Sequence, residues 1–258
     1  MWPFKKSKKQ SDPKAANTIL CIPGNWENRE ELLLSLVESS SGEYMAAGNI
    51  LLNSKEKRHY SFEFCDRDAR MKDSFRFAGR VTAIGEEILE SIADHTFVVY
   101  ITGETGSLEE AEHIAKAGFA LLNAGGTGLK VESTGKAFSK AKWGEFMANL
   151  EPERHLYEMF VLDSITANDG TVFSCGMQNI GFKDTIISNE KFADANELLR
   201  IFGYYQIVDK PEIKNNQTFQ MAAGSPIYRI TDEPSPPYEN SETFQNPFGM
   251  WRLTRISQ

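Results

Sequence analysis

Ser133-Thr134-Gly135-Lys136-Ala137-Phe138-Ser139 sets a Gly-Lys step among three hydroxyls. A lysine beside hydroxyls and free backbone N–H groups at the mouth of a helix is anion-binding chemistry. Lys136 and Ser139 are therefore candidate contacts for an anionic ligand, with Arg252 as a third. The run is not a nucleotide P-loop. That motif needs a glycine where Lys130 stands and a hydroxyl where Ala137 stands.

Upstream, Gly125, Gly126 and Gly128 resemble a phosphate loop by composition only. Such a loop follows a strand and opens a helix, whereas these glycines follow a helical pattern. Ser107 with Glu110 reads as a capping box. Ala111, Ile114, Ala115, Gly118, Leu121 and Leu122 then make one apolar face. Gly125 falls where a left-handed residue ends a helix. The residues after it read as a short strand at Leu129–Val131, a polar strand-to-helix turn at 134–139, and a helix capped by Ser139 that carries Trp143, Phe146 and Met147.

Other chemistry is thin. His59, His95, His113 and His155 have no metal-ligand spacing. Glu109 and His113 lie one helical turn apart, on what reads as a solvated face. Asp66 and Asp68 have cation-binding spacing inside a polar segment, Asp66–Arg80. No serine sits in a hydrolase elbow and no dinucleotide glycine pattern follows a strand. No metal and no cofactor is expected. The run Asn246-Pro247-Phe248-Gly249-Met250-Trp251-Arg252-Leu253 reads as a closing strand, with Phe248 and Trp251 as candidate interaction residues. Extended alternation would put those two on opposite sides, Trp251 facing the core with Leu253.

Residues 1–16 read as a disordered basic tail, five lysines against Asp12, and residues 17–258 as one compact body with sub-units at 17–104 and 105–258. Net charge is −8 overall, hence +4 in the tail and −12 in the body. That balance excludes a general nucleic-acid binder. Trp2, Phe4, Lys5 and Lys6 admit weak peripheral membrane contact, but no apolar run is long enough to span a bilayer. Cys21, Cys65 and Cys175 form no framework, sit in apolar strand-like contexts and fit a reducing cytoplasm.

The body reads as α+β with mixed sheets. Thr18–Ile22 is a strand, and Asn28 with Glu31 caps a helix. Stretches 45–52, 58–64 and 95–101 read as strands, the last two separated by a helix carrying Ile84, Ile88 and Ile92. The order β-α-β-β-α-β predicts a ferredoxin-like unit. Strands at Tyr157–Thr166 and Thr171–Met177 flank an Asn168-Asp169-Gly170 turn. Asp194 with Glu197 opens another helix. Six of the ten prolines lie after residue 209, which predicts loops and short edge strands.

Leu121–Trp143, the stretch from Gly176-Met177 to Gly181-Phe182, the helix at 195–207 and Asn246–Leu253 together resemble the bacterial domain-of-unknown-function 4261 family. The resemblance implies a cytosolic α+β protein and assigns no catalytic residue. Two functions follow as expectations. The leading one is a non-enzymatic interaction protein, an inhibitor or immunity-type partner of another protein, because an acidic body steers toward basic partners. The alternative is an enzyme or small-ligand binder for an anion at the 134–139 turn.

Overall fold

The computed structural model describes residues 16–233 and 245–256. Trp2, Phe4, Lys5 and Lys6 lie outside them. Ala16, placed in the tail by composition, is buried and opens the first strand.

The chain is α+β. The first sheet holds seven strands: β1 (Ala16–Gly24), β2 (Tyr44–Ala47), β3 (Ile50–Asn53), β4 (Arg58–Asp66), β5 (Phe97–Thr105), β6 (Gly128–Val131) and β7 (Lys136–Ser139). Their order is β2-β3-β4-β5-β1-β6-β7, antiparallel throughout. The second sheet orders β11 (Thr218–Gln220), β12 (Ile227–Glu233), β13 (Met250–Arg255), β10 (Asp184–Ile187), β9 (Val172–Cys175) and β8 (Leu162–Thr166). It is mixed, because β10 and β13 run parallel.

Helices α1 (Arg29–Ser39), α4 (Leu108–Asn123), α5 (Lys140–Ala148) and α6 (Pro152–Phe160) cover one face of the first sheet. Helices α2 (Met71–Ala78) and α3 (Glu86–Ala93) cover part of the other face, over Cys21, Val98 and Ala137. Helix α7 (Phe192–Tyr204) packs on the second sheet with Trp251 and Leu253.

Several expectations hold in detail. Asn28, Ser107 and Ser139 each accept a backbone N–H three residues on, at 3.1 Å in every case. Gly125 is left-handed with φ +113° directly after α4, and Trp26 Nε1 reaches over it to Ala124 O at 2.7 Å.

Others are corrected. A ferredoxin-like unit places the first strand between the third and fourth; here β5 lies between β4 and β1, because the chain returns beside β4 after α2 and α3. The stretch 45–52 is a hairpin, turning at Gly48 with φ +54°. The polar segment hides α2, whose buried face is Met71, Phe75 and Ala78 among charged neighbours. Tyr157–Phe160 is helical, started by Pro152 at its first turn. Helix α7 begins at Phe192, so Asp194 sits in its first turn and caps nothing. After residue 209 the chain is less irregular than its prolines suggest. β12 and β13 are interior strands, with Pro226 just before the first and Pro247 in the turn before the second, where no ladder bond is lost. Strands β6 and β7 extend the sheet of β1, so the first sheet runs across the 104/105 boundary. Cys21 and Cys175 are buried, but Cys65 is half-buried.

Candidate functional site

The Lys136 region is built by a tight turn. β6 and β7 form a hairpin whose turn ends at Gly135, φ +70°. Residues 136–139 are therefore strand, and the expected strand-to-helix turn at 134–139 is corrected: Thr134 and Gly135 belong to the hairpin turn and the other four residues to β7. Ser139 is spent on capping α5. Trp143 Nε1 then donates to Ala115 O at 3.1 Å, pinning α5 against α4.

This geometry aims Lys136 at the end of α6. Its Nζ donates to Glu158 O and, at 2.8 Å, to Val161 O. A helix leaves its last carbonyls without intrahelical donors, and a lysine there satisfies them. Burial pushes the Lys136 amine down to about 8, while Asp163 and Glu158 pull weakly the other way. Among the described residues no carboxylate lies within ion-pair distance of it.

The Lys136 side chain lines a cleft of about 430 Å3 where β7, α5, α6, β8 and α7 meet. Phe138 and Phe146 form one wall, edge to face at 6.1 Å. Tyr157 and Tyr204 form another, their rings 4.8 Å apart. Gly203 makes room for Tyr157, since a Cβ there would sit 2.8 Å from the ring. The Tyr157 hydroxyl donates to Asp163 at 3.3 Å; burial and that carboxylate push its pKa well up. Lys142 lies over the Phe146 ring at 4.9 Å, and Arg200 stands 3.8 Å from Asp163. Basic groups of the cleft are thus Lys136, Lys142 and Arg200, with Lys142 paired to Glu145 at 2.9 Å; the acidic ones are Glu158 and Asp163, with Glu158 also paired to Arg154 at 3.2 Å.

Arg252 is not part of this cleft. It lies in the second sheet, bonded to Glu233 at 2.9 Å and Ser188 at 3.0 Å. Of the three predicted anion contacts, only Lys136 lines the cavity; Ser139 and Arg252 do not join it. Phe248 and Trp251 share a different cleft, about 380 Å3, with Lys183 on the Trp251 ring at 3.9 Å. Trp251 and Leu253 are core as expected. Phe248 stands in the turn before Gly249 (φ +92°), where strand alternation does not apply.

The remaining candidates are structural. Asp68 holds Arg70 in a two-pronged contact at 2.9 and 3.0 Å, which keeps its carboxyl down at about 2. No group of three or more metal-ligating side chains occurs among the described residues. His113 is not on a solvated face. Glu56, arriving from the β3–β4 turn, hydrogen-bonds its Nδ1, and Lys116 bridges Glu56 and Glu112. Tyr157, Asp163, Arg200 and Tyr204 were not legible as site residues, because Tyr157–Thr166 read as one strand. The spacing of Pro152, Leu156 and Phe160 was the signal for a helix there.

No family model, curated protein or solved structure matches this chain. No helix among the described residues is long and apolar enough to cross a membrane.

Proposed function

We propose that the protein binds a small organic anion in the Lys136 cleft. The observation that carries this reading is a buried lysine, without a carboxylate partner among the described residues, in an aromatic-walled cavity that Lys142 and Arg200 also line. In a chain of net charge −8 three basic side chains gathered at one cleft are set against the overall field. Aromatic walls with a few convergent polar groups suit a ligand with a flat apolar body. The likeness to the 4261 family assigns no residue a role, so the reading rests on the cleft alone. Calorimetric titration with 4-methylbenzoate and phenyl phosphate tests it. Saturable binding that is weakened in an Arg200→Ala, Lys142→Ala double variant is expected. No saturable heat with either compound would overturn it.

A second reading, the interaction protein, has its own observation. On the face that α2 and α3 leave open, Met45 pairs with Leu52 across β2 and β3, Ile50 stands two residues before Leu52 on the same face, and all three are exposed. The edge of β2 is partly shielded: the Ser40 hydroxyl accepts from Tyr44 N at 3.0 Å and donates to Leu36 O at 2.6 Å. A partner would therefore engage the apolar face more than the strand edge. Ile50→Lys with Leu52→Lys should abolish retention of a partner from native lysate without shifting the melting temperature. Undiminished retention would sink this reading.

A further inference from the structure

We propose that Lys136 is a nucleophilic amine that captures the carbonyl group of an acidic aldehyde or oxo acid as an imine. This rests on the reading of the cleft as an anion site and names the ligand class.

Donor counting leads to it. A protonated lysine has three N–H donors, a neutral amine two and a lone pair. The Lys136 Nζ meets two acceptors, the carbonyls of Glu158 and Val161. Those two carbonyls match the two hydrogens of the neutral amine. The lone pair is then free of both carbonyls, on a residue that lines the cleft. An ammonium at the same place would keep one donor with no oxygen acceptor among the described residues, only the Phe138 ring at 5.7 Å. Burial of the side chain, 9% exposed, disfavours the charged form in the same direction. A desolvated lysine of this kind is the usual way an amine is made nucleophilic near neutral pH.

The surroundings fit a carbonyl compound that also carries an acid group. Phe138 and Phe146 offer an apolar wall, and Lys142 and Arg200 offer cations for a carboxylate. In the step itself the amine lone pair attacks the carbonyl carbon and a C=N bond replaces C=O. Both amine hydrogens finish on the departing oxygen, which leaves as water. No oxidant or reductant is consumed. Tyr157, whose hydroxyl donates to Asp163, also lines the cleft. The neutral imine has no N–H left; one proton taken up from solvent restores a single N–H, so one of the two helix carbonyls regains a partner.

The full chain is incubated with 4-carboxybenzaldehyde, reduced with sodium borohydride and mapped by peptide mass spectrometry. Binding of 4-methylbenzoate, which has the acid and the ring but no carbonyl, is measured in parallel. Label at Lys136 should exceed that at any surface lysine by roughly tenfold, because more of it is neutral at a given pH. Labelling should rise with pH to a midpoint near 8, be blocked by 4-methylbenzoate and be lost in Lys136→Met. If that variant does not fold, the wild-type peptide map and pH profile decide. Label spread over surface lysines with Lys136 unmodified, while 4-methylbenzoate still binds, overturns the imine and leaves the anion cleft standing. Absence of both label and binding overturns both.

Discussion

Thr18 Oγ1 donates to Asn179 Oδ1 at 2.6 Å, joining residues 161 positions apart. The same oxygen accepts from Ser133 at 2.9 Å, and the Asn179 amide donates to Gly176 O at 2.9 Å and Phe160 O at 3.3 Å. One fully buried side chain thus ties β1, the β6–β7 turn, the end of α6 and the 3-10 turn at 177–180. That node stands where the two sheets meet and holds the strand bearing Lys136 against α6.

Asn179→Ala should therefore cost more than a typical polar truncation. It strands the Ser133 hydroxyl and the Phe160 carbonyl in a dry interior, where each unsatisfied group costs about 1–3 kcal/mol, while Thr18 keeps Thr105 Oγ1 at 2.9 Å and Gly176 O keeps the backbone N–H of residue 179 at 3.0 Å. A loss of about 3 kcal/mol or more is expected from urea unfolding. A loss under about 1 kcal/mol would mean that the node admits water in place of the amide.

Three left-handed glycines should rank by what a Cβ would meet. At Gly135 (φ +70°) nothing lies within 4 Å, so alanine costs only the left-handed penalty, about 1 kcal/mol. At Gly125 (φ +113°) the Cβ would come within 2.7 Å of Trp26 Nε1 and disturb its bond to Ala124, adding about 1 kcal/mol. At Gly176 (φ +115°) it would stand 2.1 Å from Phe160 O, a backbone atom that cannot give way. Denaturation midpoints should fall in the order Gly135→Ala, Gly125→Ala, Gly176→Ala, the last failing to fold or nearly so. Equal midpoints for Gly135→Ala and Gly176→Ala would refute the packing account.

How far the chain discloses its structure follows from the range of each signal. Caps at Asn28, Ser107 and Ser139 act within three residues and were readable, as was the stop at Gly125. The Gly48 turn split one apparent strand into β2 and β3, because an apolar run such as Ile50-Leu51-Leu52 looks the same on either side of a hairpin. Helix α2 was masked since its buried triplet is interleaved with Lys72, Asp73 and Arg76. The central places of β12 and β13 depend on β13 pairing with β10, Asp184 opposite Met250 and so 66 positions apart (250 less 184), which no local pattern encodes. Lys136 was singled out for its Gly-Lys step. Its actual partners are carbonyls of α6, and that contact exists only after the sheets have packed.

Asp184 should give the protein a pH dependence opposite to that of most carboxylates. It is fully buried and accepts from Asn246 Nδ2 at 2.8 Å, Ser174 Oγ at 3.1 Å and Met177 N at 3.2 Å. Burial outweighs those donors and pushes its carboxyl up to about 7. Between roughly pH 4 and 7 the folded chain then holds a proton that the unfolded chain has released, so stability falls as pH rises through that window, by up to about 1.4 kcal/mol per unit. His95 acts the other way: burial lowers its pKa, so its contribution is lost as pH falls below about 6.5. Comparing wild type with Asp184→Asn at pH 5 and pH 7.5 isolates the carboxyl. The variant should lose less stability, or gain more, than wild type between the two values. Parallel behaviour would show that Asp184 is ionised throughout.

Trp251 closes the second sheet's core, and its substitution separates a structural role from a surface one. Its ring packs with Leu253, Phe202 and the rest of the cluster under α7, while Lys183 sits on the outer side at 3.9 Å. Trp251→Ala should cost about 3–5 kcal/mol, the range for deleting a buried aromatic body. Phe248, half-buried in the turn that Asn246 holds, should cost under about 2 kcal/mol, since less apolar area returns to water. Lys183→Ala removes a cation–π contact and the pair with Asp232, both partly exposed, and should cost about 1 kcal/mol or less. Urea midpoints of the three variants give the ranking directly. Should Trp251→Ala instead keep the wild-type midpoint and lose a bound partner or ligand, the ring would be an outward contact. The cleft it shares with Phe248 would then displace the Lys136 cavity as the site of function.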